Sequence, residues 1–87
     1  MNEYEEHLNR LLQEVRTAYR ARRSMQKIKP QVMIGNDRTL SNLLEHMFGY
    51  EPNWREQVFI QVLEEEEDTV IRVIRSIDMP SGEVVIL

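Results

Sequence analysis

Hydrophobic positions in the first third of the chain repeat with the period of an α-helix. At 100° per residue they share one arc of roughly 120°. No proline or glycine precedes Pro30, so the pattern predicts one long amphipathic helix within residues 1–29. The apolar positions of this helix are Tyr4, Leu8, Leu11, Leu12, Val15, Ala18 and Tyr19.

A second helical pattern lies in the middle of the chain. Pro30 and Gly35 interrupt the first pattern, and the apolar residues between them indicate a short edge strand or a packed loop. A new apolar repeat then predicts a short helix over residues 38–49, which Gly49 ends. Three residues could cap its first turn: Asn36, Asp37 and Thr39.

The C-terminal half contains three runs that are rich in β-branched residues, at 58–63, 69–77 and 83–87. The residues Met79 to Gly82 place proline second and glycine fourth, which favours a type I turn and a hairpin between the last two runs. We therefore expect an α+β fold in one domain, with two N-terminal helices packed on a three-stranded antiparallel meander. Alternation assigns these residues to its covered face: Val58, Ile60, Val62, Ile71, Val73, Ile77, Val84 and Ile86.

Residues 53–67 also fit a helix. Asn53 and Glu56 have the spacing of a capping box. Four apolar residues also fit one helical stripe: Val58, Phe59, Val62 and Leu63. This alternative gives three helices and a C-terminal hairpin, the element order of winged-helix DNA-binding domains. Its third helix would carry a run of glutamates, which is unfavourable for contact with DNA. The strand is therefore favoured, with the helix as the alternative.

Composition narrows the class of protein. The 87 residues are 41% hydrophobic and 30% charged, which is typical of one small globular domain. The absence of cysteine excludes disulfides and thiolate metal sites, and it favours a cytoplasmic location. Acidic residues at the start of the chain, and the lack of any long apolar run, argue against secretion and membrane insertion.

A basic cluster occupies residues 16–29, although the formal net charge is −4. The helix dipole explains part of it, because cations are favoured in the last turns of a helix. Four cations at spacings of 4, 3 and 4 nevertheless share one side, and we call them the basic ridge: Arg16, Arg20, Arg23 and Lys27. The residues that could bind phosphate or a partner are Arg16, Arg20, Arg22, Arg23, Lys27 and Lys29.

Arg22 differs from the ridge because it extends the apolar arc of the same helix. A buried guanidinium without a partner is costly. We therefore expect either that the helix leaves the domain body after about Tyr19, or that Arg22 meets an acidic group.

An acidic segment follows the first predicted strand and consists of Glu64, Glu65, Glu66, Glu67 and Asp68. Mutual repulsion places these side chains in solvent, most easily at a turn. One interpretation is that these side chains have no role beyond keeping the neighbouring strand soluble. Another is that they dock on a basic surface of a partner or of a second copy. A third interpretation treats the segment as a mimic of nucleic acid that inhibits a basic target.

Two further features could bind a protein partner. The last strand is apolar on both faces, so it is a possible edge-strand interface formed by Val84, Val85, Ile86 and Leu87. The possible aromatic anchors are Tyr50 and Trp54, although a lone tryptophan in a small domain more often fills the core.

Residues suited to catalysis are few. His7 and His46 lack partners at metal-ligand spacing, no glycine-rich phosphate loop occurs, and no serine stands in a nucleophile elbow. The sequence predicts no catalytic residue, metal, cofactor, small-molecule substrate or membrane contact. We expect a small non-enzymatic regulatory or interaction protein that self-associates, for example as a homodimer. The alternatives are a nucleic-acid-binding protein that uses the basic ridge and an acidic inhibitor that uses residues 64–68.

Overall fold

The computed structural model describes residues 2–87 and places two helices on one face of a four-stranded sheet, which confirms the α+β class. Neither helix in that range has the length and apolar composition needed to cross a bilayer. In chain order the elements are α1 (Glu3–Gln26), β1 (Val32–Asn36), α2 (Asp37–Phe48), β2 (Val58–Gln61), β3 (Val70–Ser76) and β4 (Val84–Ile86).

Both helices have side-chain and backbone caps at their ends. Asn2 accepts a hydrogen bond from the Glu5 amide at 2.8 Å and begins α1. The helix ends at Gln26, because Lys27 adopts the left-handed conformation with φ 55°. Lys27 therefore caps α1, and Lys29 lies beyond the helix. Of the three candidate caps for α2, the structure selects Asn36, whose side chain accepts from the amides of residues 38 and 39.

The strand order β2-β3-β1-β4 corrects the predicted meander. β2 and β3 pair antiparallel as expected, but β1 lies between β3 and β4, parallel to the first and antiparallel to the second. The segment that was expected to be an edge strand or a loop is thus a central strand. β1 takes the central position because Met33 is fully buried under the helices. The two neighbouring strands also satisfy the hydrogen bonds of the β1 backbone on both sides.

The connection from β3 to β4 shows why no hairpin forms. The Glu83 amide donates to the Pro80 carbonyl at 3.2 Å, so the turn is one residue later than predicted and Gly82 occupies its third position with φ 83°. The Gly82 amide also donates to Thr39 Oγ1 at 2.8 Å, and Asn36 donates to the Met79 carbonyl at 2.9 Å. These bonds hold the connection against the start of α2. The chain therefore crosses over the end of β1, and β4 pairs with the far side of β1 instead of with β3.

The core lies between the helices and the sheet. Alternation correctly places most of the inward strand residues, but Ile77 is 82% exposed because it follows the end of β3, and Val84 is only half-buried. Residues 58–61 form a strand, so the helix alternative for residues 53–67 is wrong. The buried hydrophobic side chains of the core include Leu11, Val15, Tyr19, Met33, Leu40, Leu43, Leu44, Ile60, Val62, Ile71, Val73 and Ile86.

Gly35 allows α2 to pack closely on β1. A β-carbon built at this position would lie 3.0 Å from Leu40 Cγ and 3.3 Å from the Glu83 carbonyl oxygen. Both neighbours are constrained, because Leu40 is fully buried and Glu83 adjoins the strand that pairs with β1. A glycine is therefore required by the closeness of the helix and not by an unusual backbone angle.

We predict that Gly35→Ala lowers the free energy of unfolding by about 1–3 kcal/mol, because the added methyl group overpacks the contact with Leu40. Urea unfolding followed by circular dichroism measures this change. Ser24→Ala, at an exposed position of α1, should stay within about 0.5 kcal/mol. An unchanged midpoint in Gly35→Ala would show that the contact is looser than described.

Candidate interaction surfaces

The acidic segment is part of an ordered loop between β2 and β3, which we call the acidic loop (residues 62–69). Thr69 is fully buried at its base, where its hydroxyl accepts from the Leu63 amide at 3.0 Å and donates to the Glu66 carbonyl at 2.7 Å. Two backbone bonds add to this, from Val62 to Thr69 at 2.9 Å and from Thr69 to Glu66 at 3.1 Å. The expected position at a turn is confirmed, and hydrogen bonds hold this turn in one shape.

Ion pairs join the acidic loop to α1 and to the residues after it. Arg16 contacts Glu64 at 3.1 Å, and its Nε also donates to the Val62 carbonyl at 3.1 Å. The remaining pairs are Arg23 with Glu66 at 3.0 Å and Lys29 with Asp68. One flank of α1 is therefore covered by the acidic loop of the same chain.

This pairing reduces the separation of charge on which docking through the basic ridge would depend. Two of the four ridge cations, Arg16 and Arg23, face acids of their own chain, and Lys29 beyond the helix does the same. Arg20 and Lys27 are exposed and have no ion pair within residues 2–87. Glu65 and Glu67 are likewise exposed at the outside of the loop.

The ion pairs shift two pKa values in the direction that favours both charges. The hydrogen bond from Lys29 lowers the pKa of Asp68, and the bond to Glu66 raises the pKa of Arg23. Because the pKa of Asp68 is lower in the folded chain, its ionised form adds stability above the ordinary aspartate pKa. That contribution disappears as the pH falls through the lowered value.

The aromatic candidates occupy different environments. Trp54 is partly buried against the core, with the Arg75 guanidinium 4.4 Å from its ring centroid. Its indole Nε1 is buried and has no hydrogen-bond partner among residues 2–87. Tyr50 is 65% exposed and stacks on Phe48 with the ring centroids 5.7 Å apart. Trp54 thus belongs to the margin of the core, whereas Tyr50 is accessible.

The two histidines do not lie in a cluster of ligands. His7 is exposed on the first turns of α1, and His46 lies 2.7 Å from the side-chain oxygen of Asn9 through its Nε2. Within the part of the chain that the structure describes, no group of three or more histidine, aspartate or glutamate residues is arranged to hold a metal ion.

β4 forms a free edge of the sheet, because among residues 2–87 its only neighbouring strand is β1. Val32 and Leu87 exchange both backbone hydrogen bonds, at 3.2 and 2.9 Å. In an antiparallel pair such bonds alternate, so Val85 also bonds to β1, while the amides and carbonyls of Val84 and Ile86 point away from the sheet. These four groups can accept another strand.

An apolar groove of about 340 Å³ lies between α1 and this free edge, and we call it the edge groove. Its only charged lining residues are Glu14 and Glu83. Val85 in its lining is 42% exposed, and Leu87 next to it is 48% exposed. The groove is lined by Leu11, Glu14, Val15, Ala18, Gly82, Glu83, Val84, Val85 and Ile86.

The two flanks of α1 differ in whether their charged and hydrogen-bonding groups find partners within the chain. On the flank of the acidic loop, carboxylates pair with Arg16 and Arg23. On the flank of the edge groove, Glu14 has no partner in residues 2–87 and the outward groups of β4 have no neighbouring strand. The edge groove is therefore the better candidate for contact with another molecule.

Comparison of the chain with known protein families, with characterised proteins and with solved structures finds no significant match.

The sequence predicted the β4 half of the edge groove but not the half that α1 contributes. Val84 to Leu87 were expected at an edge because both faces of the strand are apolar. The contribution of α1 was not predicted, because Leu11 and Ala18 belong to the apolar arc that was assigned to the core and Glu14 was assigned to no surface. Glu14 beside Val15 was the available signal, because it is a charged residue at the margin of the apolar arc.

We predict that Arg16→Ala lowers the free energy of unfolding by about 1–2 kcal/mol, because it removes the bonds to Val62 and Glu64. Arg20→Ala is the matched control, since Arg20 is exposed on the same helix and pairs with no residue in 2–87. Urea unfolding of the two variants should therefore give clearly different midpoints. Equal midpoints would mean that the acidic loop is not held by Arg16.

We also predict that Lys29→Ala raises the pKa of Asp68 towards its ordinary value, because Lys29 supplies the hydrogen bond that lowers it. A titration of the carboxyl carbon resonances by NMR measures this pKa directly. Arg38→Ala removes an exposed cation from α2 and should leave the Asp68 titration unchanged. If both variants titrate like the parent chain, the pair is not formed in solution.

Proposed function

We propose that the protein is a small non-enzymatic interaction module that binds an extended polypeptide segment as an added strand on β4. The observation that carries this proposal is the outward direction of the amides and carbonyls of Val84 and Ile86 beside an apolar groove. Strand addition at a sheet edge combines backbone hydrogen bonds, which give affinity, with pockets for alternate side chains, which give selectivity. A cytoplasmic location fits a cysteine-free chain of this kind.

The lining of the edge groove favours one class of segment. Leu11, Val15 and Ala18 offer apolar contact to every second side chain of an added strand. Glu14 and Glu83 are the charged lining residues, so a cation beside the apolar positions is favoured. The bound segment is therefore extended and apolar at alternate positions, with a lysine or arginine nearby.

The other candidate functions have less support. A nucleic-acid-binding surface would use the basic ridge, but Arg16 and Arg23 already pair with the acidic loop. An acidic inhibitor would present residues 64–68 to a target, but three of these five carboxylates contact cations of their own chain. In both cases a partner that used the whole surface would have to replace internal ion pairs, and only Arg20 and Lys27, or Glu65 and Glu67, would be available without that cost.

A library of random heptapeptides displayed on phage, selected on sparsely immobilised protein, tests the proposal. We expect enriched peptides with apolar residues at alternate positions and at least one lysine or arginine. Val84→Pro should abolish their binding, because proline removes an outward amide. The fold should remain, since this amide does not bond to β1.

Phe59→Pro is the matched control, because by the same alternation its amide points outward from β2, at the opposite edge of the sheet. It should leave peptide binding intact. If Val84→Pro fails to fold, Glu14→Lys replaces it and should remove the preference for cationic peptides. Absence of enrichment, or equal binding to the parent and both β4-side variants, would contradict the proposed function.

A further inference from the structure

We infer that the strand bound at this edge is β4 of a second copy of the chain, in a dimer with two-fold symmetry. This inference rests on the proposed function and names its partner. A two-fold dimer uses the same patch on both copies, so that patch must be complementary to itself. Two independent features of the edge groove meet this requirement.

The first feature is the register of the backbone groups on β4. The outward-pointing residues, Val84 and Ile86, stand on either side of Val85. When a second β4 runs antiparallel about Val85, Val84 of one copy lies opposite Ile86 of the other. Each such pair exchanges two hydrogen bonds, so the contact has four, and the two sheets become one of eight strands.

The second feature is the charge pattern on the flank of α1 that lines the groove. Glu14 and Arg22 lie four residues before and after Ala18, which places both roughly 6 Å from it along one row of the helix. Glu14 and Arg22 form no ion pair within residues 2–87. The Nε of Arg22 is buried by its own chain, but the side chain is partly exposed, so its terminal guanidinium nitrogens are the ones that a second copy can reach. When β4 pairs antiparallel, the two α1 helices also run antiparallel. Glu14 of each copy then faces Arg22 of the other, across the small side chain of Ala18.

This arrangement answers the question that the position of Arg22 raised. The helix still contacts the domain body past Tyr19, because Arg23 pairs with Glu66, and no acidic group among residues 2–87 forms an ion pair with Arg22. A second copy supplies both the cation that the acidic groove favours and the carboxylate that Arg22 lacks. A foreign peptide on a three-residue strand gains its contacts once, whereas symmetry doubles each of them.

The sequence offered two routes to self-association, head-to-tail contact of the basic ridge with the acidic segment and pairing of the apolar edge strand, and the inferred dimer uses the second. The ridge and the loop pair within one chain, on the opposite flank of α1. The inferred contact is closed and symmetric, so it stops at two copies.

Light scattering and sedimentation equilibrium over a wide concentration range test the dimer. We expect a mass of twice 10.4 kDa at high concentration and dissociation on dilution. Glu14→Arg and Arg22→Glu should each weaken the dimer at least about tenfold, because each sets like charges against each other. The double variant that carries both changes should restore it, and Arg20→Glu should leave it unchanged.

The outcomes separate the inference from the proposed function. A chain that stays monomeric at every concentration but binds selected peptides in a Val84-dependent manner overturns the second copy and keeps the interaction module. A dimer that is indifferent to Val84→Pro and to both charge reversals uses another surface, and it also overturns the inference. Rescue by the double variant supports the pairing of Glu14 with Arg22, because a merely damaged fold would not recover.

Discussion

The position of β1 between β3 and β4 is the constraint on which the rest of the molecule depends. Its parallel pairing with β3 and antiparallel pairing with β4 satisfy both sides of its backbone. With β1 in the centre, β2 and β4 become the two edges of the sheet. Gly35 on the same strand lets Leu40 approach, which sets α2 close against the sheet. One buried strand thus determines the sheet order, the depth of the helix layer and the place of the free edge.

α1 connects the two surfaces that this arrangement creates. One flank receives the acidic loop through Arg16 and Arg23, and the other forms a wall of the edge groove. Each ion pair at the first flank contributes little by itself, because its acid is partly in solvent, and the added bond from Arg16 to the Val62 carbonyl makes Arg16 the stronger contact. Glu14 and Arg16 lie in the same turn of one helix, so the two surfaces share a single rigid element.

Local patterns of the sequence were sufficient for the elements but not for their partners. The apolar repeats located α1 and α2, and alternation identified the inward residues of β2 and β3. The neighbours of β1 could not be derived, because a five-residue strand carries no local record of what it pairs with. The same holds for Arg16 and Glu64, which are 48 positions apart. The hairpin near Pro80 was predicted wrongly for the same reason. Proline and glycine there indicate that the chain reverses, but they do not indicate which strand β4 then pairs with.

The order of the strands along the chain has a consequence for how the protein folds during its synthesis. β1 leaves the ribosome before either of its neighbours, and its registered partners lie roughly 40 to 50 residues later. Until residues 70–76 emerge, the apolar segment β1, which lies between α1 and α2 in the chain, has no partner strand, and the two helices have no sheet to pack on. Contacts this distant in sequence slow folding and prolong the exposure of sticky segments. The unfinished chain is therefore most prone to self-association in the interval between the synthesis of β1 and that of β3.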